Sequence, residues 1–277
     1  MGNTPAMKRI SYSLISLFLC LISCEEELPN VSGKNRLYEI TSISDDRIDG
    51  QMIIRERNDG STQLELSLNG VRSDHVHPAY IHFNTALEGG GIAMTLIPVD
   101  GNSSTSVTEI TKLDSGVPIS YDELVAFDGH INIQLDDDHG TVVAQADIGE
   151  NALTGRFQQF PLDEVTIAGA DGLLTIHERE SGYSLLEVVL EASVAGRQHP
   201  TTLNFGSMEN EGGIAVTLNP IDGDNGIGKT HLEELDGDLL APYEALINFQ
   251  GFIRVHLGPD GEMDTVVSEG NIAFTSS

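Results

Sequence analysis

The chain has no tryptophan, only two cysteines, and 14 lysines and arginines against 43 aspartates and glutamates in 277 residues. Each shortage excludes something. A net charge of −29 has the wrong sign for nucleic acid, whose phosphates are neutralised by Lys and Arg. It is equally wrong for adhesion by charge to anionic lipid. Two cysteines, Cys20 and Cys24, cannot supply a disulfide framework or a Cys-ligated metal site. Aromatic residues are 5% of the chain, yet the hydrophobic share of 39% suffices for a packed core. No Gly-rich phosphate loop and no Ser nucleophile elbow is present.

What is present begins with an address. Lys8 and Arg9 precede an apolar stretch, Ile10 to Ile22, interrupted by Ser11, Ser13 and Ser16. A basic segment followed by a short apolar one is the pattern of an export signal. The stretch is shorter than the roughly 20 residues of a membrane span. It ends in Leu21-Ile22-Ser23-Cys24, which resembles a bacterial lipobox. That resemblance implies cleavage before Cys24 and acylation of Cys24, giving a lipid anchor. Residues 1–23 are therefore expected to be a lipoprotein signal peptide, starting at Met1 or Met7. Residues 24–35, opening on Glu25-Glu26-Glu27, are expected to be an acidic tether. Such an acidic patch is similar to the surface-export signal of Bacteroidetes-type lipoproteins. The expected location is the cell envelope, lipid-anchored on the outer membrane, at either its periplasmic or its external face. Lys8 and Arg9 leave with the signal, so the mature chain is more acidic still.

The rest is one unit written twice. Shifted by 122 residues, Ile54-Arg55-Glu56-Arg57 meets Ile176-His177-Glu178-Arg179, and His77-Pro78 meets His199-Pro200. Gly90-Gly91-Ile92-Ala93 meets Gly212-Gly213-Ile214-Ala215, and Phe127 and Gly129 meet Phe249 and Gly251. Near the end of each unit the shift becomes 124, with Thr141-Val142-Val143 against Thr265-Val266-Val267. A period this long means two tandem domains, not a solenoid. Their expected ranges are 36–155 and 156–277.

Within each unit the pattern is strand. Leu64, Leu66 and Leu68 alternate with Gln63, Glu65 and Ser67, and Ile131, Ile133 and Leu135 alternate with Asn132 and Gln134. Ile253, Val255 and Leu257 alternate with Arg254 and His256. Period two with β-branched residues denotes half-buried strands. Ser120-Tyr121-Asp122-Glu123 is a capping box that opens one helical turn, and Pro242 opens the matching turn of the second unit. The fold class is all-β: two antiparallel β-sandwiches, each with one short helix. A double-length single barrel is the alternative.

Each unit resembles a chordin-type (CHRD) domain. The resemblance rests on His75-Val76-His77-Pro78-Ala79-Tyr80-Ile81-His82, Glu88-Gly89-Gly90-Gly91-Ile92-Ala93 and Pro98-Val99-Asp100-Gly101. It continues through Ile119-Ser120-Tyr121-Asp122-Glu123-Leu124, Phe127-Asp128-Gly129-His130-Ile131-Asn132-Ile133 and the segment from Thr141 to Gly149. It covers nearly all of the mature chain, more strongly in the first unit than in the second. It implies a β-sandwich similar to Cu/Zn superoxide dismutase. In animal chordin, proteins carrying such domains bind growth factors; for the bacterial members the resemblance implies no activity.

The histidines carry the sharpest chemical expectation. His75 and His77 stand at i and i+2, the same face of a strand; His82 follows a proline bend, and His130 lies on the strand after the helix. Together they are a candidate Zn²⁺ or Cu²⁺ set. The family pattern has further histidines where Gln134 and Tyr80 stand. The second unit has His256 in that strand but Arg197 and Asn204 in place of His75 and His82. A dismutase needs a redox copper held by four histidines and a bridging ligand, and the chain supplies only fragments of that set, so the reading leans away from an enzyme. Asp136-Asp137-Asp138 and the Asp100-Gly101 and Asp222-Gly223-Asp224-Asn225 segments read as solvated turns rather than glycosidase carboxylates or calcium loops. The function expected is a non-catalytic binding or structural module anchored through Cys24, with a protein or glycan partner and no nucleic acid. The alternative is a Zn/Cu-binding protein using His75, His77, His82 and His130.

Overall fold

The computed structural model describes residues 31–44, 47–136 and 140–273. The segment expected to be a signal peptide, Cys24 with its expected acylation, the expected tether up to residue 30, and Asp137 and Asp138 lie outside them.

The protein is all-β with antiparallel sheets. The first half contains β1 (Val31–Ser42), β2 (Asp49–Arg57), β3 (Thr62–Asn69), β4 (Val76–His77), β5 (Ala79–Phe83) and β6 (Ile92–Thr95). There follow β7 (Val99–Asp100), β8 (Thr105–Ile110), helix α1 (Tyr121–Leu124), β9 (Gly129–Gln134) and β10 (Val142–Ile148). The second half contains β11 (Leu153–Glu164), β12 (Gly172–Arg179), β13 (Ser184–Leu190), β14 (Gln198–Ser207), β15 (Asn210–Asp222) and β16 (Ile227–Leu232). A small hairpin of β17 (Glu234–Leu235) and β18 (Leu239–Leu240) leads to helix α2 (Tyr243–Leu246), then β19 (Gly251–His256) and β20 (Val266–Ile272).

In the second half the ladder closes into a barrel in the order β11-β12-β13-β16-β15-β14-β19-β20, the last strand pairing with the first. The first half follows the same order, but its ladder is interrupted, ending at β4 on one side and β6 on the other. Strand β14 runs through Pro200 with a register shift there, whereas Pro78 divides β4 from β5. A proline supplies no ladder donor and belongs at such an irregularity. The two antiparallel units expected as β-sandwiches therefore take the form of a closed barrel and an interrupted one. Strand β1 pairs with β2 up to Ile40 and with β10 at Thr41 and Ser42.

The alternation of the sequence sets the interior. Leu64 and Leu66 are fully buried and Leu68 nearly so, with Gln63, Glu65 and Ser67 on the outer face. Ile131, Ile133, Ile253 and Val255 point inward in the same way. One apolar cluster runs from Tyr38 to Ala152 and a second from Leu162 to Ile272. The capping box forms: Ser120 Oγ accepts from Glu123 N at 3.3 Å and Glu123 Oε2 accepts from Ser120 N at 2.8 Å.

Two expectations are corrected. The tether does not extend to Asn35: Val31 already pairs with Arg57 and Asn35 with Arg55. His256 breaks the alternation expected around it, being buried, with Nδ1 bonded to Met263 O at 2.5 Å.

The halves meet along a polar seam. Arg179, at the end of β12, has a side chain with no exposed surface; its Nη1 donates to Asp147 Oδ2 at 2.7 Å and to the carbonyl of Asn151. Glu180 N and Ser181 N donate to Ala152 O and Glu150 O at 2.9 and 2.8 Å, and Arg36 pairs with Glu180.

Candidate functional site

The four candidate histidines do not gather at one point. His75 precedes β4 rather than lying in it, and it is exposed, its Nδ1 bonded to Ser73 O at 3.2 Å. His77 is completely buried. The two therefore do not share a face; only Val76 and His77 pair with β7, so strand alternation does not reach back to residue 75. The His77 Nδ1 donates to Gln134 O at 3.2 Å, tying β4 to the end of β9. The second half repeats this bond with His199 Nδ1 and His256 O at 3.1 Å. There the other ring nitrogen, Nε2, also accepts from Val194 N at 3.1 Å. His77 Nε2 has no such partner. A histidine conserved in place between the two halves and spent on backbone carbonyls is a piece of architecture.

His82 and His130 do meet. They face each other across β5 and β9, with rings stacked at 5.0 Å between centroids and 16° between planes. Each Nδ1 is fixed by a carbonyl, Gly90 O for His82 and Asn84 O for His130, both at 2.9 Å. That bond sets the tautomer and leaves Nε2 without the proton, the arrangement of many metal-ligating histidines, although both Nε2 atoms lie in buried surroundings. However, His130 Nε2 already receives the Asn132 amide at 3.3 Å. Of this pair, His82 is the one whose Nε2 keeps no partner among the described residues. Burial holds the His130 imidazole below its ordinary value, against the pull of Asn84 O, and the neighbouring His82 adds to the shift. Among the described residues no three His, Cys, Asp or Glu side chains converge on a point able to hold an ion. The duplicate replaces the pair with Asn204 and Phe252.

The acidic turns are closed on themselves. Asp222 Oδ1 accepts from Asp224 N at 2.9 Å, Asp224 Oδ1 from Gly196 N at 2.7 Å, and Asn225 Oδ1 from Ile227 N at 2.8 Å. Asp100 Oδ1 does the same for Asn102 N at 2.8 Å. Their side chains build turns.

Two features escaped the sequence. One is the buried Arg179, whose counterpart Arg57 sits at the surface with Glu109. Identical residues at equivalent positions carry no signal of such a difference. The other is a groove of about 590 Å³ on the outer face of β11, β12 and β13, lined by Phe157, Gln159, Leu173, Thr175, His177 and Glu187 among others. Phe157 is 55% exposed and its ring lies 5.8 Å from that of His177. Burial lowers the proton affinity of His177, against the attraction of Glu187. The alternation of Phe157, Gln159 and Pro161 along β11 is the only sequence cue to this face.

Comparison of the chain with models of protein families, with characterised proteins and with solved structures found no match.

Proposed function

We propose that the chain is a cell-envelope lipoprotein, anchored through acyl chains on Cys24, whose two CHRD-like modules serve a non-catalytic binding or structural role. The observation that carries this reading is a contrast between the halves. What they share is architectural: the strand order, and the buried His77 and His199 on the same backbone carbonyl. What they do not share is chemical: His82 and His130 become Asn204 and Phe252. A duplicated catalytic centre would keep its reacting groups; a duplicated scaffold keeps its joints. The likeness to a flattened, superoxide dismutase-type sandwich has its support in β1 and β11. Each pairs with one neighbour along most of its length and with another at its last two residues.

The address rests on Lys8 and Arg9, the apolar stretch Ile10 to Ile22 and the Ser23-Cys24 junction. Metabolic labelling with a palmitate analogue tests it. The wild type takes up label and sediments with membranes, whereas C24S is unlabelled. An unlabelled wild type overturns the anchor. The zinc or copper reading of His75, His77, His82 and His130 is the weaker alternative, its support confined to the free Nε2 of His82 beside His130.

A further inference from the structure

We propose that Asn69 is a site of spontaneous covalent modification, its side chain closing on the backbone nitrogen of Gly70 to a succinimide that water opens to aspartate and isoaspartate. In this sequence only Asn69 and Asn225 are followed by glycine. A following glycine has no Cβ to shield its nitrogen and has the widest backbone freedom, so this pair of residues closes most readily. The site is independent of the anchor and of any partner that the protein binds.

The two turns hold their glycines alike and their reacting atoms differently. Gly70 and Gly226 both stand at φ +72°, where a Cβ would meet Arg47 O at 2.5 Å and Leu190 O at 2.8 Å respectively. Neither position admits a side chain without strain, so each asparagine keeps its vulnerable neighbour. Gly226 N donates to Asp222 O at 2.7 Å, and Asn225 Oδ1 accepts from Ile227 N at 2.8 Å. Nucleophile and electrophile are both held there. Gly70 instead lies beyond the last pair of β3 with β8, Ser67 with Thr105, and its N–H donates to none of the described residues. Asn69 is the exposed last residue of β3, and its Nδ2 donates to Asp49 Oδ1 at 2.8 Å. Water competes for an exposed bond of this kind, and strand ends open locally at little cost.

The chemistry balances with water as the only co-reactant. Gly70 N bonds to Asn69 Cγ as the Cγ–Nδ2 bond breaks, and Nδ2 leaves as ammonia with the proton of the Gly70 nitrogen. Water then opens the ring at either carbonyl. Attack at Cγ restores the main chain and leaves an ordinary aspartate. Attack at the main-chain carbonyl leaves isoaspartate, with the chain running on through Cβ and Cγ. The net change is water consumed, ammonia released and a negative charge gained. The new carboxylate stands opposite Asp49, the partner of Asn69 in the β2–β3 register, so a hydrogen bond becomes a repulsion. The second half shows that two acids are tolerated there. Asp171 and Glu191 occupy the matching positions, with Glu191 N donating to Asp171 O at 2.8 Å. The aspartate form therefore keeps the fold.

Ageing of the full chain at mildly alkaline pH in water enriched in heavy oxygen, followed by peptide mass mapping, tests the proposal. The Asn69 peptide should take up solvent oxygen and split into aspartate and isoaspartate forms. It should do so about fivefold or more faster than the Asn225 peptide, the factor for releasing one hydrogen bond from the Gly226 nitrogen. In denaturing urea both turns are lost, and the two rates should converge. N69D should melt cooperatively near the wild-type temperature. A native chain in which Asn225 converts as fast as Asn69 overturns the assignment. So does one in which Asn69 stays intact while the urea-treated chain converts.

Discussion

The guanidinium of Arg179, on the second half, donates from Nη1 to Asp147 Oδ2 on the first at 2.7 Å, and its side chain has no solvent exposure. The same Asp147 accepts from Ala86 N at 2.7 Å through Oδ1, so one carboxylate fastens a loop of its own half and a cation of the other. Breaking a buried pair by deleting one partner leaves an uncompensated charge and costs about 3–5 kcal/mol. D147A is expected to lower the urea midpoint accordingly and to separate the unfolding of the halves into two transitions. R57A removes a surface pair at the equivalent position of the first half and should cost less than about 1 kcal/mol. Equal effects of the two variants would show that the seam holds nothing together.

His77 and His199 are the second test. Replacing either by alanine opens a cavity and orphans a buried carbonyl, a loss of about 2–3 kcal/mol. H199A should exceed H77A by about 1 kcal/mol, because only His199 also accepts from a backbone amide, Val194 N. EDTA should leave the wild-type melting temperature unmoved. A chelator that reproduced the H77A loss would make His77 an ion ligand instead of a strand tie.

Burial also sets a pH dependence. The imidazoles of His130, His177 and His256 are all held below the ordinary value near 6.5, burial being the largest cause in each. As pH falls, the unfolded chain takes up these protons first. Stability is therefore constant above about pH 7.5 and is lost as pH drops through 6.5 toward the folded-state values. The carboxyls of Glu88 and Glu211, also held low, act in the same direction only further into acid. Thermal melts between pH 7.5 and 5.5 should show the midpoint falling, with a shallower slope in H256Q, which installs the residue found at the matching position, Gln134. An identical slope in H256Q would remove His256 from the account.

The helix α1 cap gives a smaller, local effect. S120A deletes the side chain that accepts from Glu123 N, and such caps contribute about 1 kcal/mol. The loss should be visible in the urea midpoint with the slope unchanged. The second half offers a comparison, since Pro242 caps α2 without a side-chain bond.

Much of this architecture was legible in the sequence, for physical reasons. Leu64, Leu66 and Leu68 declare a strand with one buried face because side chains alternate, and Ser120 and Glu123 declare a helix start because the cap is local. The duplication was plain from matched residues. What escaped depends on the neighbour that a residue meets in space. Arg57 and Arg179 are the same residue in the same motif, yet one lies at the surface with Glu109 and the other under the first half. His75 and His77 carry the spacing of a shared face, but the strand starts only at Val76. His82 and His130 are 48 residues apart in the chain, and register alone stacks them. Pro98 and Pro220 stand at matching positions, yet β15 runs through the latter while β6 and β7 stop on either side of the former; nothing in the two sequences explains this difference.

In the second half, the first strand of the ring is hydrogen-bonded to the last. That seal is short: β11 meets β20 only at Asp163 and Glu164, and β15 meets β16 only at Asp222. The long ladders, such as those of β12 with β13 and β14 with β15, carry many more rungs. The hoop is therefore clasped at two narrow points, and a force that unrolled it would part those clasps before any full ladder gave way.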